Sequence, residues 1–171
     1  GLIFSIDGKL ISRPYHKFFN VGERTETLPE NFDLSEPHVI LEKLDGSMCR
    51  PFVVGDTGYR IGTKMGITDV AMQAELWLVD HPEYDEFIND CIKCNVTPIF
   101  EWCSRKQRIV IDYPVDRLVL TAMRVNDTGE YLPMYSLQMH GRAHNIEVVK
   151  EYEGTVENME SLMAETRDLQ G

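Results

Sequence analysis

Val39-Ile40-Leu41-Glu42-Lys43-Leu44-Asp45-Gly46-Ser47 is the stretch that decides how this 171-residue chain reads. An apolar run leads straight into a lysine, an aspartate follows one residue beyond it, and glycine and serine close the segment. In a strand, alternation puts Lys43 and Asp45 on the same side. Gly46 lets the chain turn tightly and lets another group approach its backbone. A lysine is an ordinary cation with a reference pKa of about 10.4, and it becomes a nucleophile only where burial or neighbouring positive charge makes the neutral amine accessible. A strand end opening into a cleft that holds phosphates and a metal is one such place. The plainer reading of the same residues is a surface lysine in a turn.

On either side of this stretch the pattern is mixed. Residues 2–6 and 10–13 flank Asp7-Gly8 and predict a hairpin. Residues 14–37 are polar and turn-rich and form a long connection. Strands are expected at 38–42, 49–54 and 59–63. From Thr68 the period changes, and Val70, Ala74, Trp77 and their neighbours predict a helix capped by Thr68 or Asp69 and stopped before Pro82. A second helix from Glu83 sets Tyr84, Phe87, Ile88, Cys91 and Ile92 on one face. Strand patterns return at 97–102, 108–112 and 118–125, then at 131–134 after the turn Asn126-Asp127-Thr128-Gly129. A short helix at 136–144, a strand at 146–150 and an acidic helix over 156–169 complete the chain. Together they predict an antiparallel-rich α+β fold, two packed sheets with flanking helices. No repeat, low-complexity tract or glycine-serine linker divides it.

Composition narrows the possible functions. With 43% hydrophobic and 26% charged residues the chain is ordinary globular protein rather than a disordered segment. Seventeen basic against 28 acidic side chains leave a net charge of −11, which excludes a protein that coats nucleic acid through bulk positive charge but leaves room for a local basic groove. No apolar run approaches the roughly 20 residues of a membrane helix, and the N-terminal residues do not read as a signal peptide. Cys49, Cys91, Cys94 and Cys103 are too few and too clustered for a disulfide scaffold, so they are expected as reduced thiols in a cytoplasmic compartment.

Several polar groups stand out. Glu101 interrupts the apolar run Pro98-Ile99-Phe100-Glu101-Trp102-Cys103, where a lone carboxylate is costly to bury unless something polar meets it. A ribose hydroxyl is a suitable partner; solvent on the outer face of a strand is the alternative. Arg105, Lys106 and Arg108 follow at once. Arg60 and Lys64 sit in the glycine-flanked run Tyr59-Arg60-Ile61-Gly62-Thr63-Lys64-Met65-Gly66, and Arg13-Pro14-Tyr15-His16-Lys17-Phe18-Phe19-Asn20 is basic and aromatic together. Each cluster alone reads as a solvated face; convergence on one phosphate-rich ligand is the sharper hypothesis. Cys91 and Cys94 lie on a predicted amphipathic helix with no second pair to complete a zinc site. His140 and His144 share a helix face at i, i+4 spacing without an evident third ligand. Asp80, Glu83, Asp85 and Glu86 form a solvated acidic face, and Trp77 and the methionines read as core filling.

These strings, taken in order, resemble the ATP-dependent RNA ligases of the phage RNA ligase 1 type, within the covalent nucleotidyltransferases that include DNA ligases and mRNA capping enzymes. The matching segments are 1–4, 12–20, 42–47 (Glu-Lys-Leu-Asp-Gly-Ser), 63–66, 100–103 and 107–113. The resemblance implies the nucleotidyltransferase fold, ATP-grasp-like in its ligase adenylation form. It implies that Lys43 attacks the α-phosphate of ATP to form a lysyl-adenylate, with Asp45 shaping the pocket beside the lysine or ribose. Glu42 would present main-chain groups to the adenine edge, Glu101 would contact the ribose, and Lys17 and Lys64 would meet phosphates. Arg13 belongs with the same cofactor-binding set. ATP and magnesium or manganese are the implied cofactors, with no protein metal ligands singled out. RNA with 5′-phosphate and 3′-hydroxyl ends is the implied partner, and the protein is expected to be a cytoplasmic monomer without membrane contact.

The family's further Glu-Gly-aliphatic strand and Lys-x-Lys strand have no counterpart in their proper places, and Glu153-Gly154-Thr155-Val156 comes too soon after Glu101 to be the first of them. Residues 1–171 are therefore expected to be the central part of an adenylation domain, lacking its N-terminal start and C-terminal closing strands. A DNA ligase, a GTP-using capping enzyme, and an inactive relative that only binds nucleotide or RNA ends are the alternatives.

Overall fold

Residue chemistry sets the ends of most elements. The structure is a computed structural model that describes residues 1–31, 36–55, 58–107 and 111–152. In chain order its elements are β1 (Ile3–Phe4), β2 (Leu10–Ser12), β3 (Ile40–Leu41), β4 (Ser47–Val53), β5 (Tyr59–Gly62), α1 (Asp69–Leu78), α2 (Pro82–Lys93), β6 (Val96–Cys103), β7 (Arg117–Val125), α3 (Met134–His144) and β8 (Glu151–Tyr152). Thr68 caps α1 by accepting the Ala71 N–H at 3.3 Å. Pro82 opens α2 where a missing N–H costs nothing, with Glu83 and Asp85 at its positive end and Lys93 in its last turn. Ala71, Ala74 and Leu78 on α1, and Tyr84, Phe87, Ile88 and Cys91 on α2, recur every three or four residues and are the buried positions.

The chain forms two compact units, Gly1–Pro14 with Leu44–Val149, and Tyr15–Lys43 with Lys150–Gly171. None of the crossing points is a glycine-serine linker or a charge run, so composition does not mark them. In the larger unit, β5-β4-β6-β7 form an antiparallel sheet. One face packs on α1 and α2: Trp77 meets Trp102 edge to face at 5.9 Å, and Phe87 meets Phe100 at 6.3 Å, inside a cluster that includes Cys49, Ile61, Leu118 and Leu120. Each of these fully buried apolar side chains is worth about 1.5–3 kcal/mol, whereas the Lys93–Asp90 pair at 2.9 Å sits in solvent, screened by salt, so apolar burial on this face holds the unit. The other face carries the β1–β2 hairpin, anchored by the Ser12 hydroxyl donating to the Pro51 carbonyl at 2.9 Å and the Arg13 N–H donating to Thr97 Oγ1 at 3.0 Å. A second cluster, Leu44, Cys103, Tyr113, Val119 and Val149, is separate from the helix-side core. A bulge between Ile99 and Phe100 skips Thr121, whose hydroxyl donates to the Ile99 carbonyl at 3.0 Å.

In the smaller unit β3 and β8 pair antiparallel, Ile40 opposite Tyr152 and Leu41 opposite Glu151. Thr25–Thr27 and Pro29–Asn31 are single 3-10 turns on the long connection.

The antiparallel-rich α+β fold stands. Some elements differ from their sequence patterns. Of the strand expected at 131–134 only Tyr131 bridges β7, because Pro133 has no N–H for a ladder and its fixed φ starts α3 instead. In the segment 146–150 only Val148 bridges Leu120, in parallel. Ile111, Asp112 and Tyr113 are not in a strand; residues 108–110, with Arg108, lie outside the described residues, as do the helix expected at 156–169 and Glu153-Gly154-Thr155-Val156. Among the described residues no helix is long and apolar enough to cross a membrane.

Gly141 is where α3 passes closest to the following segment: a Cβ there would strike Val148 Cγ2 and lie 3.2 Å from the Ile146 carbonyl oxygen. Alanine in a helix ordinarily gains about 0.5–1 kcal/mol over glycine. Here overpacking reverses the sign, and Gly141→Ala is expected to lower unfolding free energy by about 1–3 kcal/mol in denaturant titration. A gain in stability would show that α3 does not pack as described.

Candidate functional site

Asp45 is 8% exposed and held at two points. Its backbone N–H donates to the Tyr113 hydroxyl at 2.9 Å, and its Oδ2 accepts the Ile111 N–H at 2.7 Å. Tyr113 is itself 7% exposed, with the Arg117 guanidinium 5.0 Å from its ring centroid. Its hydroxyl also interacts with the Cys103 thiol. Burial raises the Tyr113 pKa, while the Asp45 N–H pulls the other way by stabilising a phenolate. The carboxylate of Asp45 is thus fixed by main chain from a segment 66 residues downstream.

Gly46 follows, and a Cβ on it would overlap the Trp102 carbonyl and lie 3.0 Å from Glu101 Cγ. With no side chain there, β4 starts directly against β6, pairing Ser47 with Trp102 and Met48 with Glu101. Phe100 and Trp102 point to the helices, so alternation turns Glu101 to the opposite face, where it is half-buried. Lys64 is exposed in the tight turn after β5, where Thr63 and Gly66 exchange hydrogen bonds at 2.8 and 3.1 Å. The ladder pairs Arg50 with Gly62, and Lys64 lies two residues beyond Gly62, toward the end of β4 that carries Met48 and Ser47. Arg50, 2% exposed, holds this turn by donating to the carbonyls of Gly62 at 3.1 Å and Thr63 at 2.9 Å, and to Gly1 at 2.6 Å. Asp45, Lys64 and Glu101 therefore gather at one end of the sheet. Arg13 does not join them: its backbone is bonded to Thr97, four residues before Glu101, about 13 Å along a strand.

The other sequence candidates belong to the smaller unit. Glu42 is half-buried and extends the β3–β8 ladder by donating its N–H to the Lys150 carbonyl at 2.9 Å; Lys43, next in the chain, is exposed. The Lys17 ammonium lies 4.8 Å from the Phe19 ring centroid, with the Arg24 guanidinium 4.7 Å from the same ring. Arg105 joins Asp116, its N–H donating to Oδ1 at 2.7 Å. Tyr113, Ile111 and Arg50 are the polar contributors that sequence patterns do not single out, because each acts through main-chain atoms remote in sequence. Among the described residues, no three His, Cys, Asp or Glu side chains converge to hold a metal, which leaves the Cys91–Cys94 and His140–His144 pairs without a third ligand.

The larger unit thus has a sheet with helices on one face and a half-buried carboxylate, a clamped aspartate and a lysine turn at one end, and comparison with known proteins gives the chain's family. The profile of a family described as "RNA ligase" matches residues 1–170, and the chain belongs to that family, the RNA ligases of the phage RNA ligase 1 type. A Thermovibrio ammonificans protein named "Putative RNA ligase" is 32% identical over all of this chain, which spans 45% of that relative. The chain thus covers less than half the length of this relative. Among solved structures, an archaeal ATP-dependent RNA ligase shares the fold with a TM-score of 0.52 at 17% identity, over 77% of this chain and 36% of its own. A substituted Naegleria gruberi RNA ligase with ATP and Mn does so with a TM-score of 0.56 at 15% identity, over 94% of this chain and 52% of its own.

The four thiols report on the clamped region. Burial pushes Cys49 up to about 12 and Cys103 up to about 11, and raises Cys91 further, so these stay neutral while Cys94 is exposed. Since only the thiolate alkylates, iodoacetamide at about pH 8 is expected to modify Cys94 in the native protein and the other three only after denaturation. Peptide mapping checks this, and native labelling of Cys103 would contradict the packing around Tyr113.

Proposed function

We propose that this chain is the central part of the adenylation domain of an ATP-dependent RNA ligase, with Lys43 as its nucleophile. The observation that carries the reading is the Glu-Lys-Leu-Asp-Gly-Ser string of residues 42–47 in a chain of the RNA ligase family. In the proposed reaction the neutral Lys43 amine attacks the α-phosphorus of ATP in line. A nitrogen–phosphorus bond forms, the bond to the bridging oxygen breaks, pyrophosphate leaves, and the amine loses a proton to give a lysyl-adenylate. Such a displacement needs little covalent help beyond the nucleophile; it needs cations near the equatorial and departing oxygens. Lys17 and Lys64 take that part. Glu101 accepts a hydrogen bond from a ribose hydroxyl, Glu42 offers main-chain groups to the adenine edge, and Asp45 keeps the loop after the nucleophile in place. Arg13 is left to anchor the β1–β2 hairpin.

The residues assigned here bind, orient and supply charge, and a divalent magnesium or manganese ion bound with ATP would add positive charge at the phosphate oxygens. The adenylate then passes to an RNA 5′-phosphate, forming a new phosphoanhydride and freeing Lys43. A 3′-hydroxyl attacks that phosphate, AMP departs, and the strand is sealed.

The test is covalent labelling of the full-length protein with ATP radiolabelled at the α-phosphate, followed by peptide mass spectrometry. AMP is expected on Lys43, with no label in Lys43→Ala and labelling slowed about tenfold or more in Glu101→Ala, which strands the ribose hydroxyl without its acceptor. The 171 residues alone are expected to label weakly or not at all. Full labelling of Lys43→Ala would overturn the assignment.

A further inference from the structure

We propose that Tyr113 is a positioning residue for adenylyl transfer: its phenolic oxygen holds the backbone of the loop that follows the nucleophile. This inference rests on the assignment of Lys43 as the nucleophile. The Asp45 N–H has the Tyr113 hydroxyl as its acceptor at 2.9 Å, and both residues are buried. The phenol has little freedom of its own. Its ring packs with Leu44, Val119 and Val149, the Arg117 guanidinium lies 5.0 Å from the ring centroid, and the Cys103 thiol meets the hydroxyl. Two residues upstream, the Ile111 N–H pins the Asp45 carboxylate at 2.7 Å. One short segment therefore fixes both the backbone and the side chain of Asp45, while a Cβ-free Gly46 passes against Trp102 and Glu101.

One residue, Leu44, separates this double clamp from Lys43, so a freed Asp45 amide lets the loop shift by fractions of an ångström. Positioning errors of that size act on the rate of the bond-forming step, since a misplacement of about 1 Å can cost about a hundredfold in rate. ATP binding, which draws on groups elsewhere, changes less. Tyr113 touches neither substrate nor reacting atoms in this role.

The test is single-turnover adenylation of the full-length protein at varied ATP concentration. Tyr113→Phe removes one oxygen atom and is expected to lower the maximal rate about tenfold while the ATP concentration giving half that rate changes by less than about twofold. Val149→Ala loosens the same apolar cluster without touching the hydrogen bond, and is expected to keep the maximal rate even where its melting temperature falls as far. Should Tyr113→Phe fail to fold, Cys103→Ala, which removes the thiol that meets the phenol, is expected to show a smaller drop of the same kind. An unchanged maximal rate in Tyr113→Phe, or in Cys103→Ala should it have to stand in, overturns the proposal, as does an equal rate loss in Val149→Ala. No adenylate on Lys43 in the unaltered protein would instead overturn the reading on which the proposal rests.

Discussion

The absence of a side chain at Gly46 is the constraint from which the larger unit's polar end follows. The chain leaving Asp45 passes so close to the Trp102 carbonyl that any Cβ would collide with backbone, and backbone cannot move aside as a flexible side chain does. That approach sets the register of β4 on β6, Ser47 on Trp102 and Met48 on Glu101. A slip of one residue would turn Glu101 into the aromatic core and Trp102 out of it, because side chains alternate between the faces. The same approach delivers the Asp45 N–H to Tyr113. An unmet N–H at that depth would cost about 1–3 kcal/mol, more than the bond contributes net when made, so the contact matters chiefly by forbidding other loop conformations.

Arg50 shows the same preference for placement over net stability. Burial lowers its pKa, and its bonding partners are the three carbonyls of Gly62, Thr63 and Gly1. Hydrogen bonds from a charged donor are worth about 1.5–3 kcal/mol each, and desolvating the cation costs several kcal/mol, so the two terms largely cancel. What survives the cancellation is geometry. The carbonyls on either side of the Gly62–Thr63 junction are held to one guanidinium, and the turn that carries Lys64 starts from a fixed point.

How legible these features were in the sequence depends on their range. Thr68 and Pro82 act on their own helices, so α1 and α2 could be read from capping chemistry and a 3.6-residue period within a few residues of their true ends. Residues 131–134 misled because Tyr131, Leu132 and Met134 resemble a strand, while Pro133 decides the matter by lacking a donor. Residue type in short strings singles out Asp45, Lys64 and Glu101, which the larger unit gathers at one end of its sheet. It does not single out Tyr113, since its bond joins a hydroxyl to a main-chain N–H 68 residues away and leaves no trace in spacing. Arg13 shares a string with Lys17, yet its backbone is bonded to Thr97, so neighbours in sequence are held by different elements.

The sheet also bears on how an acidic chain would meet the polyanionic ligand proposed for it. A net charge of −11 would repel phosphates if it were spread evenly. In the larger unit, Glu75, Glu83, Asp85 and Asp90 all ride on α1 and α2, beyond the apolar face that carries Phe100 and Trp102. Packed layers stand about 10 Å apart, and the Debye length at physiological salt is about 8 Å, so the helix carboxylates are largely screened from the other face. At the sheet's polar end Glu101, the clamped Asp45, buried Arg50 and the Lys64 turn lie together, with Arg117 beside the Tyr113 that holds Asp45. Under the proposed function, local cations rather than net charge set the potential that a phosphate meets, because the strand arrangement segregates charge by face.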